Sequence, residues 1–211
     1  MSKETVILVH GLWLNGLAMS LLKLRLEKAG FMTRQFYYHG LQASPAENAT
    51  ALHALLQTID TDTVHYVGHS LGGLVIRHLF HKFPGRGPGR IVCLGTPHQA
   101  SRAASTLYRY APGRWLLGRS IEQGLLGDIP PWENFHELGV VAGNLRLGMG
   151  LVIPGIPRPS DGTVAVQETM LEGMTDHIIL PVSHFGMLFS SRVAMQTLHF
   201  LQHGRFQHQA C

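Results

Sequence analysis

The sequence predicts an α/β fold: about six short parallel strands with helices on both faces and a small helical insertion after the fourth strand. Three observations lead there. Short apolar, β-branched-rich runs alternate with helix-period segments along the chain, and such alternation implies right-handed crossovers and a parallel sheet. The strand runs are apolar on both faces, as buried parallel strands must be. One of them, Val64–Val67, enters a glycine-flanked turn and leaves it directly as a helix.

Taken in order, Thr5–Val9 is the first strand and ends at His10-Gly11-Leu12. A helix follows, with Leu14, Leu17, Leu21 and Leu24 at near-helical spacing and Lys23, Arg25 and Lys28 outside. Gly30 closes it, and Met32–Tyr38 is the second strand. Ser44-Pro45-Ala46-Glu47 is a helix start with a capping box and a first-turn proline. Ala49, Leu52, Leu55, Leu56 and Ile59 give that helix a core face. The third strand and its helix (Leu74, Val75, His78, Leu79) precede a Pro84–Gly89 loop, and Arg90–Leu94 is the fourth strand. Residues 99–136 interrupt the alternation. Leu138–Ala142 is the fifth strand, a Gly/Pro-rich stretch leads from Gly148 to Ser160, and His177–Val182 is the sixth. A last helix covers Gly186 to about His203. With no repeat or linker, residues 1–211 read as one domain with an insertion at 99–136.

Composition narrows the function classes. Apolar residues make up 45% and charged residues 14%, a balance of compact folded proteins rather than disordered ones. The formal charge of +4 is scattered; no basic stripe or known module predicts nucleic-acid binding, although weak contact with an acidic lipid surface fits. No stretch approaches the roughly 20 apolar residues of a membrane span. Ser2-Lys3-Glu4 leads straight into a strand, so no signal peptide is expected. Cys93 lies in a strand and Cys211 is the last residue; both are expected as reduced thiols, and the protein as cytoplasmic. The 14 histidines show no metal-site spacing, and no metal or cofactor is expected.

The chemistry is concentrated in Gly68-His69-Ser70-Leu71-Gly72-Gly73. A serine in a strand–turn–helix flanked by glycines has the form of a nucleophile elbow, where glycine allows the sharp turn and close strand–helix approach. This segment resembles the elbow of serine lipases and esterases of the α/β-hydrolase superfamily, most closely small bacterial lipase-like hydrolases. The resemblance runs from Val6 to about Phe200. It implies the central strands of that fold without the two leading antiparallel strands of larger members.

A serine hydroxyl needs a base and an orienting carboxylate. In this fold the order is Ser, acid, His, with each group beyond a strand's carboxyl end. Among the histidines after Asp161, only His184 follows such an end, so it is the expected base. Asp161, in Ser160-Asp161-Gly162-Thr163-Val164, is the expected acid and resembles the family's Asp-Gly-x-Val turn. Glu168 is the reserve, while Asp128, Glu133, Glu137 and Asp176 fall at the wrong places. Oxyanion donors are expected at the backbone N–H of Leu71 and, as the resemblance implies, of Leu12. His10 is expected to brace its loop. Gly95-Thr96-Pro97-His98 resembles a Gly-Thr-Pro-His segment of many lipases, where Gly-Ser often follows; here Gln99-Ala100-Ser101 does. His98 reads as a loop brace or, alternatively, a substrate contact.

The insertion is rich in apolar and aromatic residues, with Arg102, Arg109, Arg114 and Arg119 spaced along it. It reads either as a cap over an acyl pocket, with Leu107, Trp115 and Leu116 as candidate lining, or as an ordinary helix–loop cover. The arginines read as a solvated face or as contacts for an anionic head group. The functional expectation is a carboxylic ester hydrolase acting on a small-molecule ester with an apolar acyl group. Thioester cleavage, acyl transfer by the same triad, or a non-catalytic binding member of the fold are the alternatives.

Overall fold

The computed structural model describes residues 4–14, 16–84, 87–133, 136–148 and 153–208. Cys211 and parts of the 82–90, 99–136 and 148–160 segments therefore lie outside the described residues. Six strands form a single parallel sheet in the order β2-β1-β3-β4-β5-β6. They are β1 (Glu4–Val9), β2 (Met32–Phe36), β3 (Thr63–His69), β4 (Ile91–Leu94), β5 (Leu138–Gly143) and β6 (Asp176–Leu180). The helices are α1 (Ser20–Lys28), α2 (Pro45–Leu56), α3 (Leu71–Lys82), α4 (Arg102–Tyr108), α5 (Ala111–Leu117) and α6 (Ser191–His203).

Strand order reverses at β1, so the crossovers lay helices on both faces. Alternate side chains of β1 show the consequence. Val6 and Leu8 pack with Leu22 and Leu26 of α1 and Val193 and Phe200 of α6. Ile7 and Val9 pack with Leu52 of α2 and Val75 and Leu79 of α3. Burial on both sides is why these strands read as unbroken apolar runs. Cys93, on β4, is a free buried thiol, pushed up to about 12 by burial.

The capping box at the start of α2 forms as its sequence predicts: the Ser44 side chain accepts from Glu47 N, and Glu47 reaches back to Ser44 N. The first helix differs from its expected pattern. Leu17, Leu21 and Leu24 face outward, with Leu17 71% exposed, and the buried positions are Met19, Leu22 and Leu26. A 3-10 helix at Gly16–Met19 precedes α1. Its tighter turn resets the phase, so one 3.6-residue stripe counted from Leu14 does not run through both. The last helix begins at Ser191 rather than Gly186, because Ser190 caps it by accepting from Val193 N. The second and sixth strands stop at Phe36 and Leu180, two residues short of the expected ends.

Candidate active site

Ser70 is the single residue between β3 and α3, at φ 52° and ψ −120°. That conformation is unfavourable for a residue with a Cβ. It is held from three sides: Ser70 N donates to Leu94 O at 2.9 Å, and Gly73 N and Thr96 Oγ1 both donate to Ser70 O. The flanking glycines are required sterically. A Cβ on Gly68 would lie 2.7 Å from Gly73 N, and one on Gly72 would overlap the Val9 carbonyl.

Beyond the end of β5, Asp161 is 1% exposed and begins a tight turn. Its Oδ1 accepts from Thr163 N at 2.8 Å and Val164 N at 2.7 Å, which leaves Oδ2 to accept from His184 Nδ1 at 2.7 Å. An ionised carboxylate only accepts, so Nδ1 carries the ring proton and Nε2 holds the free lone pair. His184 follows β6, and its backbone N–H donates to Asp161 O at 2.9 Å, so the two residues are tied twice. Room for the pair comes from Gly95, at φ +58°, where a Cβ would stand 3.1 Å from both Asp161 Oδ2 and His184 Nδ1.

Ser70, His184 and Leu12 line one narrow cleft, open at its mouth. The rest of its wall is largely apolar, including Trp13, Ala104, Leu107, Leu117 and Phe185. The loop carrying Leu12 is braced as its sequence suggests. His10 Nδ1 bonds Gly11 O at 2.9 Å, its ring stacks on Tyr38 at 4.3 Å, and Tyr38 Oη donates to His10 O at 2.6 Å. Burial holds His10 below its ordinary pKa and raises the Tyr38 phenol. Gly11 lets this loop lie against Ser70, since a Cβ there would be 3.1 Å from Ser70 Cβ. The Leu71 amide lies in the first turn of α3, where helix geometry provides no acceptor.

The structure brings Ser70, Asp161, His184, Leu12, Leu71 and Leu107 to one sheet edge. It does not bring Trp115 or Leu116 into the cavity wall. Trp115 is 79% exposed, and Leu116 is outward with its carbonyl accepting from Trp13 Nε1. On so short a helix only Gly113 and Leu117 face inward, and Leu117 lines the cavity instead. Glu168 is buried but points away from His184. Its carboxylate accepts from Arg102 N at 2.7 Å and Ala165 N at 2.8 Å, and burial, more than the nearby Asp161 charge, raises its pKa. His98 lies outside the cavity lining. Its carbonyl accepts from Arg77 Nη1 at 2.9 Å, and burial holds its ring neutral, at about 3.

Sequence reasoning missed His69. Its Nε2 donates to the His184 carbonyl at 3.0 Å, and burial, then the nearby His184, lowers its pKa to about 3. The elbow motif places it beside Ser70, but nothing in the pattern shows that its ring reaches a residue 115 positions away.

No protein-family model matches this sequence, and no curated protein does. Solved structures do match in fold. A Bacillus licheniformis lipase, BlEst2 in mature form, superposes with a TM-score of 0.77 at 20% identity, over 95% of this chain and 91% of that one. Phospholipase PlaB from Legionella pneumophila gives 0.75 at 16% identity, over 96% of this chain and 59% of that one. A metagenomic carboxyl esterase, MGS0156, gives 0.68 at 15%, over 87% and 65%. The chain has the α/β-hydrolase fold.

Proposed function

We propose that this protein is a serine hydrolase of carboxylic esters, working through an acyl-enzyme, with residues 99–136 covering its acyl site. The observation that carries the reading is the 2.7 Å bond from buried Asp161 to His184, whose side chain shares the cleft wall with the strained Ser70. Ser70 Oγ attacks the ester carbonyl as its proton passes to His184 Nε2. Asp161 holds the ring in the required tautomer and stabilises the imidazolium. The amides of Leu71 and Leu12 receive the developing oxyanion. Collapse breaks the ester C–O bond, and His184 returns the proton to the leaving alcohol. Water then repeats the sequence on the acyl-serine. The apolar wall suits the acyl chain, and the lipase and esterase names of the fold neighbours agree with the reaction class.

The test is turnover of p-nitrophenyl esters from acetyl to palmitoyl, wild type against Ser70→Ala, with fluorophosphonate labelling in parallel. Serine-dependent turnover, and labelling that disappears in His184→Ala, is the expected result. No serine-dependent turnover at any chain length, together with no labelling, would overturn the reading.

A further inference from the structure

The surface beside the cavity mouth has a composition that water alone does not explain. From Tyr108 to Leu117, every residue except Gly113 and Leu117 is exposed or nearly so. An exterior helix face is ordinarily polar. That of α5 presents Arg114, Trp115 and Leu116, and Tyr110 just before it is 64% exposed. Single exposed apolar residues are common, but a contiguous run marks an interaction surface. Trp13 joins the run through its hydrogen bond to Leu116 O.

Charge decides which partner fits. Residues 99–121 carry four arginines and no aspartate or glutamate. Arg119 is committed to Glu47 and Glu122, whereas Arg109 and Arg114 make no ion pair among the described residues; Arg114 lies 5.9 Å over the Tyr108 ring. A second copy of this chain across a two-fold axis would set these arginines against each other with no acid in the patch to meet them, which is unfavourable. Guanidinium groups interleaved with Trp and Tyr match the edge of an anionic bilayer, where aromatic rings sit at head-group depth and cations meet lipid phosphates.

We propose that this patch docks the protein on anionic lipid surfaces. Because Trp13 and Leu117 also line the catalytic cavity, docking turns the cavity mouth toward the lipid. Lipid binding itself does not depend on the hydrolase reading.

The experiment uses the full chain and vesicles of ether-linked lipids, which contain no ester to cleave. Co-sedimentation is compared on phosphatidylcholine alone and on an equal mixture with phosphatidylglycerol. Strong binding to the mixture, about tenfold or more weaker binding to phosphatidylcholine, and loss in high salt are expected. The double variant Arg109→Gln/Arg114→Gln should bind the mixture about thirtyfold more weakly, with turnover of a soluble acetyl ester unchanged. Trp115→Ala should also bind more weakly. Protein that stays in the supernatant with both vesicles, or binds both equally, overturns the proposal. So does undiminished binding by the double variant. A Trp115-dependent homodimer, seen where the vesicles fail, would assign the patch to a second copy instead.

Discussion

Asp161→Asn isolates what the acid contributes, and the structure fixes how the new side chain must sit. Oδ1 accepts two backbone N–H groups, from Thr163 and Val164. An amide nitrogen cannot accept them, so the asparagine oxygen stays there and its NH₂ takes the place of Oδ2, 2.7 Å from His184 Nδ1. Facing a donor, Nδ1 must give up its proton, and Nε2 then carries it and cannot take one from Ser70. The imidazolium also loses its counter-charge. In another serine triad the same change costs about ten-thousandfold in kcat, or on the order of 5 kcal/mol of transition-state stabilisation, and the same loss is expected here. Because the turn keeps its hydrogen bonds, the melting temperature should move by only a few degrees. The assay is kcat on a p-nitrophenyl ester beside thermal denaturation. Activity within tenfold of wild type, with Glu168→Gln inactive, would show that the acid has been misassigned.

Three further outcomes are expected. Ser70→Gly removes the Cβ from an unfavourable backbone conformation, so the variant should be inactive yet more stable by about 1 kcal/mol; denaturant unfolding measures it, and a less stable variant counts against strain at the elbow. Tyr38→Phe leaves the His10 carbonyl without its 2.6 Å donor, which should cost about 1–2 kcal/mol of stability. It should also lower kcat about tenfold, less than loss of an oxyanion donor itself; unchanged kcat would mean the loop needs no such brace. His98 titrates at about 3 in the folded protein against an ordinary 6.5, so the unfolded chain binds its proton first. Its contribution to stability is complete above pH 6.5 and is lost as pH falls toward 3, by up to about 1.4 kcal/mol per pH unit. His98→Leu should therefore flatten the fall in stability between pH 7 and 5, and an unchanged slope would show that the imidazole is already accessible to protons.

The alternation of strands and helices, the elbow, and the carboxyl-end positions of Asp161 and His184 were legible because each leaves a local trace. Runs buried on both faces read as continuous Val, Ile and Leu, and glycines mark places where backbones touch. The lining of the cavity was not legible in the same way. Trp115, Leu116 and Leu117 are adjacent and all apolar, and which one turns inward depends on where α5 begins and on its packing against α4. That is a tertiary outcome without a sequence period, since a seven-residue helix offers too few turns to display one. Leu17, Leu21 and Leu24 misled for a related reason: a 3-10 turn ahead of α1 shifted the face. The contact of His69 with His184 and that of Glu168 with Arg102 N were hidden because these partners are distant in sequence, and only folding brings them together.

The position of the insertion follows from α3, the helix that Ser70 begins. Three residues on one side of that helix hold it: Arg77 Nη1 donates to His98 O, His78 Nε2 to Gln123 O at 2.7 Å, and His81 pairs with Glu133 at 3.4 Å. The points held lie before, within and near the end of residues 99–136. The wall formed by α4 is thereby referred to the same rigid element that Ser70 begins. At the other end, Glu168 ties the first amide of α4 to the Asp161 turn. Ser70, the Asp161 turn and the α4 wall of the cleft are thus linked through side-chain contacts, most of them buried or half-buried, and a displacement of α4 has to break a contact to the helix that Ser70 begins or to the Asp161 turn. This predicts that substitutions at Arg77 will lower kcat on a p-nitrophenyl ester although its side chain lies outside the cleft, because the loop it holds after β4 leads directly into the wall.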